Sequence, residues 1–270
     1  MIINMTEEIL KDCSTYFPLS YSFPLSIMPY TAPVFIFITM SGILLYRSIH
    51  KALTHLTEYF HNQTPDGQKK IVYHYMRTLY LSILFIIATT SFTTIWYYSA
   101  TASITCSPST ALFSIIACAI VYTIFLLDIL INPSIYLGIL GHHIATSLAF
   151  CYYMIVGMHD RGFVLIAIGY ALYESLCMCQ SITLISRRVP VLHAYQSRIL
   201  FANLVSYALR VIFQLVYIPF VLTMFNELFT SQSVAFHVAV LVLQTSLNAR
   251  IWYIFYILWR NSRVYDDDET

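Results

Sequence analysis

The chain has 270 residues, of which 59% are hydrophobic and 10% charged, against about 25% charged in an ordinary soluble domain. That balance excludes a soluble enzyme and a disordered chain, and a net charge of +1 gives no polyelectrolyte attraction, which excludes nucleic acid as a partner. About 160 apolar residues, 59% of 270, supply roughly seven segments of about 20, the length that crosses a bilayer. The expected fold is therefore all-α, a polytopic membrane helical bundle of about seven transmembrane helices. Only seven glycines are present, and neither a dinucleotide nor a P-loop glycine motif occurs.

Residues 1–25 form an N-terminal segment carrying Glu7, Glu8, Lys11 and Asp12. No basic stretch precedes the first apolar run, so neither a signal peptide nor an Arg-rich transit peptide is expected. Apolar spans follow at about 26–46, 78–99, 109–131, 135–157, 162–186, 201–225 and 233–258. The region 26–69 holds the first span and a surface helix. In that helix Ile49, Leu53, Leu56 and Phe60 recur at helical spacing, as in a helix lying in the membrane interface. Pro65-Asp66-Gly67 reads as a turn before the second span. His50, His55, His61 and His74 have no i,i+4 partner and read as a solvated face rather than a metal site. Residues 70–260 form one membrane domain, and 261–270 an acidic tail.

Loop 47–77, the 187–200 loop and the C-terminal tail hold ten Lys and Arg residues, against Lys11 and Arg161 on the other side. That bias places the N-terminus outside and the C-terminus inside. Cys13 and Cys106 then share the outer side, where a disulfide is one open alternative, together with an Asn4-Met5-Thr6 sequon. Cys118 and Cys151 read as packing residues.

Polar residues recur inside five spans. The third span ends with Asp128. The fourth carries His142, His143 and Thr146. The fifth carries Tyr170, Glu174, Cys177 and Ser181, and the sixth Asn203, Tyr207, Arg210 and Gln214, both at i, i+4, i+7, i+11, which draws a stripe down one helix face. The seventh carries His237, Gln244, Asn248 and Arg250. At a rise of about 1.5 Å per residue, His142, Arg210 and Arg250 lie about 11, 14 and 12 Å from the inner boundary, Glu174 about 18 Å and Asp128 about 5 Å. Intramembrane charge is expensive, so these groups face partners or a cavity. An inward-opening polar chamber and a set of structural pairs, such as Glu174 with Arg210, are both consistent with the pattern. His142 and His143 project about 100° apart on a helix. That spacing suits proton transfer better than chelation of one metal, and Asp128 is placed to orient an imidazole. Neither a metal nor a cofactor is expected.

The order Asp128, His142-His143-Ile144-Ala145-Thr146, Tyr173-Glu174-Ser175, Asn203, Arg210, then Gln244, Asn248 and Trp252 resembles the TLC-domain family over about residues 70–260. That family groups ceramide synthases with smaller lipid-related membrane proteins. The resemblance implies a helical bundle that handles membrane lipid, often in the endoplasmic reticulum. It implies acyl transfer from acyl-CoA to a long-chain amine. His142 and His143 would be the catalytic pair, assisted by Asp128 and Glu174, with Tyr170, Arg210, Gln214, Asn248 and Arg250 against the substrate. Here Gly169–Ser175 keeps Glu174 but lacks the His-Asp and further Asp of ceramide synthases, and no homeobox-like region is present, which is closer to the smaller members. The alternative is a non-catalytic structural subunit among other membrane subunits, in the endoplasmic reticulum or the mitochondrial inner membrane, that retains a lipid pocket.

Overall fold

The structure is a computed structural model and describes residues 23–97, 108–131, 140–141, 143–144, 163–224, 226 and 229–268. Its elements are α1 (Phe23–Leu56), α2 (Glu58–His61), α3 (Pro65–Tyr97), α4 (Pro108–Ile131), α5 (Phe163–Ser175), α6 (Met178–Ser186), a 3₁₀ turn (Pro190–Tyr195), α7 (Gln196–Met224) and α8 (Ser231–Asp268). The chain is a polytopic helical bundle. Five segments are long and apolar enough to cross a membrane: Ala32–Leu56, Pro65–Thr93, Leu165–Ser186, Pro190–Met224 and Ser231–Ser262. Ile115–Ile131 is a shorter apolar helix. The expected span at 135–157 falls almost wholly outside the described residues, as do Cys13, Cys106, Cys151 and the sequon.

Two helix boundaries, the start of α3 and the end of α1, correct the sequence reading. Thr64 caps α3 by accepting the Gly67 amide at 3.1 Å, and Pro65 takes the first helical position, where a missing N–H costs nothing. Pro65-Asp66-Gly67 is therefore the first turn of the second span, not a loop before it. The first span likewise runs on to Leu56, roughly 51 Å at the helical rise, and absorbs the expected surface helix. Its Ile49 and Leu53 are partly buried within the protein. They pack with Phe60, Ile71 and Val72, because α2 folds back and brings the start of α3 over them.

Helix α3 is central, packed against α1, α4, α5 and α6, while α8 leans on α7. The main core joins Tyr73, Met76, Leu81 and Leu84 of α3 to Ile120, Ile124 and Phe125 of α4. The outer face of α1 keeps Ile36 and Phe37 64% and 73% exposed, as a lipid-facing helix does. At Gly169 on α5 a Cβ would run into the Tyr217 ring of α7, so the missing side chain is what lets those helices approach.

The fifth span is not one helix. It breaks at Leu176 and Cys177, between α5 and α6. Ser175 Oγ donates to the Leu172 carbonyl at 2.6 Å, a side-chain bond that competes with the helical ladder. Away from water each freed carbonyl needs another donor. α7 supplies them: Ser206 Oγ donates to Leu176 O at 2.7 Å, and Arg210 Nε to Tyr173 O at 3.1 Å. The regular stripe expected from Tyr170 to Ser181 is thus bent at its middle.

Candidate functional site

A cavity of about 700 Å³ lies where α3, α4, α5, α6, α7 and α8 converge, within the 300–1,000 Å³ range of small-molecule sites. Lys70 and Arg188, both half-buried, are among its lining residues.

Asp128 lies at the end of α4, 8% exposed, and meets His143, 5% exposed. Nε2 of His143 and Oδ2 of Asp128 are 2.6 Å apart, and the imidazole lies against the Phe125 ring, centroids 4.7 Å apart. Asp128 is thus in contact with an imidazole, the geometry that an orienting role needs. The imidazole is that of His143; His142 is outside the described residues.

Arg210 of α7 forms the second charged pair, its Nη2 3.6 Å from Glu174 Oε2. Its guanidinium lies over the Tyr173 ring, 4.2 Å from the centroid, a cation–π contact strengthened by burial. Because its Nε also caps the last turn of α5, the cation sits at the negative end of that helix. Asn248 of α8 donates to the Tyr173 hydroxyl, and Cys177 Sγ lies 3.7 Å from Glu174 Oε2. Tyr173 is thereby held from α7 and from α8 at once.

Of the residues singled out from sequence, Asp128, His143, Glu174, Arg210, Asn248 and Arg250 line this cavity. Tyr170 and Gln214 do not. Tyr170 lies beside the His237 ring, and Gln214 donates to Gln244 at 2.6 Å; both belong to a packed layer farther along the bundle. They face the interior as the stripe requires, but one turn beyond the cavity.

No protein-family model, curated protein or solved structure matches the chain.

Sequence reasoning misses one wall. α3 contributes Lys70, Tyr73, His74 and Arg77, and α6 contributes Gln180 and Leu184. His74 is 8% exposed, not on a solvated face as expected. With the second span starting at 78, Lys70 and Arg77 count as charges of loop 47–77. The signal that could have found them is their spacing: 70, 74 and 77 follow i, i+4, i+7 and share one face once the helix starts at Pro65. α8 contributes the apolar Leu247, Ile251, Ile254 and Phe255 beside Gln244, Asn248 and Arg250. Among the described residues, no group of three His, Cys, Asp or Glu side chains is placed to hold a metal.

Proposed function

We propose that the chain is an integral membrane lipid-handling protein of TLC type, and that this cavity serves acyl transfer from acyl-CoA to a long-chain amine. The observation that supports it is the Asp128–His143 pair at 2.6 Å, lining a cavity of about 700 Å³ that also takes in the apolar Leu247, Ile251, Ile254 and Phe255 of α8. With Nε2–H donated to Asp128, Nδ1 of His143 is the proton acceptor. As the amine attacks the thioester carbonyl, a C–N bond forms and the C–S bond breaks. The proton leaves nitrogen for His143 and passes to the departing thiolate. Asn248 and Arg250 line the substrate's path, and His142 is the second histidine of the family pair. The family resemblance favours the endoplasmic reticulum as its membrane.

An assay of the purified chain with a long-chain acyl-CoA and a long-chain amine tests this reading. His143→Ala and Asp128→Asn are expected to lose about 10²–10⁴-fold of the activity. Equal activity in wild type and both folded variants would overturn it.

A second reading, a structural subunit of a larger membrane complex such as one of the mitochondrial inner membrane, has its own support. Glu174 and Arg210 are already engaged inside the protein, the arginine capping a broken helix. Absence of activity in every form, with a fixed set of membrane partners retained through purification, would select it.

A further inference from the structure

The cavity's charges do not balance. Five cations line it, Lys70, Arg77, Arg188, Arg210 and Arg250, against two carboxylates, Asp128 and Glu174. Both carboxylates are engaged, Asp128 with His143 and Glu174 with Arg210. Among the described residues, no carboxylate lies within 4.0 Å of Lys70, Arg77 or Arg188.

These three cations gather on one wall. Lys70 and Arg77 stand on the same face of α3, with His74 between them. Arg188 follows the last turn of α6, where its Nη1 donates to Leu184 O at 3.0 Å. The charges of all three act on His74, and the Asp128 carboxylate acts on His74 and on Arg77. Arg77 Nη2 reaches Gln180 Oε1 at 3.4 Å, while its Nε is buried with no hydrogen-bond partner. A guanidinium N–H buried without a partner is costly unless an anion completes it. Burial, and after it the neighbouring Arg187, holds the Arg188 guanidinium below its ordinary pKa, as desolvation of a cation does.

We infer that the Lys70–Arg77–Arg188 wall binds the phosphate group of an amphiphile whose chain lies along Leu247, Ile251, Ile254 and Phe255. A phosphate monoester brings about −1.5 to −2 charge and three acceptor oxygens. A carboxylate brings one charge and two oxygens, too little for three cations. Guanidinium groups present parallel N–H donors that suit phosphate. The phosphate comes from a lipid headgroup or from a coenzyme thioester; the wall recognises what the two share. The inference rests on the cavity holding a lipid chain, and not on the chemistry at His143.

The test uses the full chain in nanodiscs of uncharged lipid and measures affinity for four oleoyl ligands: lysophosphatidate, oleoyl-CoA, oleate and monooleoylglycerol. At least one phosphate ligand is expected to bind roughly tenfold or more tightly than oleate and monooleoylglycerol. Arg77→Gln and Arg188→Gln should each remove roughly that factor and leave monooleoylglycerol affinity unchanged. Lys70→Gln, at a half-buried lysine, provides a milder variant should Arg77→Gln fail to fold. Tighter lysophosphatidate assigns the phosphate to a lipid, and tighter oleoyl-CoA to a coenzyme. Oleate binding as tightly as both, or phosphate affinity unchanged in the three variants, overturns the phosphate site while leaving the lipid cavity standing. No binding of any oleoyl ligand to the folded protein overturns both.

Discussion

Two buried polar layers lie along α7, one turn apart, and they are built differently. Around Arg210 the layer is charged: Glu174, Asp128, His143 and the α3 cations border a cavity. Around Gln214 it is closed. Gln214 bonds Gln244 at 2.6 Å, Tyr217 donates to Leu165 O at 2.8 Å, and its ring stacks on Phe213 with centroids 4.9 Å apart. Both layers belong to the same helical stripe. What separates them is the break between α5 and α6, which frees backbone at Tyr173 and Leu176 and opens room beside it. Charge gathers where the backbone is irregular and space remains, and the polar groups are neutral where helices run straight and close.

The sharpest way to break the contrast is Arg210→Met. It strands the Glu174 carboxylate and removes the donor to Tyr173 O, so the loss of stability should reach about 3–5 kcal/mol, as for a buried pair that loses one partner. Unfolding in mixed micelles measures it. The double variant Arg210→Met with Glu174→Gln should recover part of that loss, since no unpaired charge is left. A single variant as stable as wild type would show that Arg210 is not what holds the broken helix.

Most of the charged layer is legible in the amino-acid sequence alone. The 3.6-residue rhythm puts Asn203, Tyr207, Arg210 and Gln214 on one face, and all four are buried. Glu174 and Arg210 approach as intramembrane charge requires, and Asp128 meets a histidine. The α3 wall is not legible, because hydropathy reports where apolar residues become continuous and not where a helix begins. α3 starts about 13 residues ahead of the apolar run expected at 78, and that offset turns Lys70, His74 and Arg77 into a supposed loop. The α5–α6 break is hidden for a different reason. No proline or glycine marks Leu172–Cys179, and the bend depends on donors from another helix, which local sequence does not encode.

In the closed layer the largest effect should come from Gly169→Ala. The new methyl would overlap the Tyr217 ring, and that ring is held by its hydroxyl bond to Leu165 and its stack on Phe213. Overpacking at a fixed neighbour costs about 1–3 kcal/mol, again measurable by unfolding in mixed micelles. Adding Tyr217→Leu makes room and should restore part of the loss to the alanine background. No loss in Gly169→Ala would mean that α5 and α7 part easily, and the closed layer would then be as adaptable as the open one.

The smallest effect separates the layers most directly. Replacing Gln214 alone by Leu leaves the Gln244 amide at the cavity edge without its partner, and interhelical hydrogen bonds in membranes are worth about 0.6 kcal/mol on average, at most about 1.7. Gln244→Leu alone leaves Gln214, 1% exposed, with a buried unpaired amide, so it should cost more than Gln214→Leu, whose stranded partner lines the cavity and has room for water. The double Leu variant removes both amides and should lie near wild type, because apolar replacement of both partners is close to neutral. The same cycle at Glu174 and Arg210 should show a coupling several times larger, since charges are harder to leave unpaired than amides. Equal couplings in the two cycles would erase the distinction between a charged layer beside a cavity and a neutral layer that only packs.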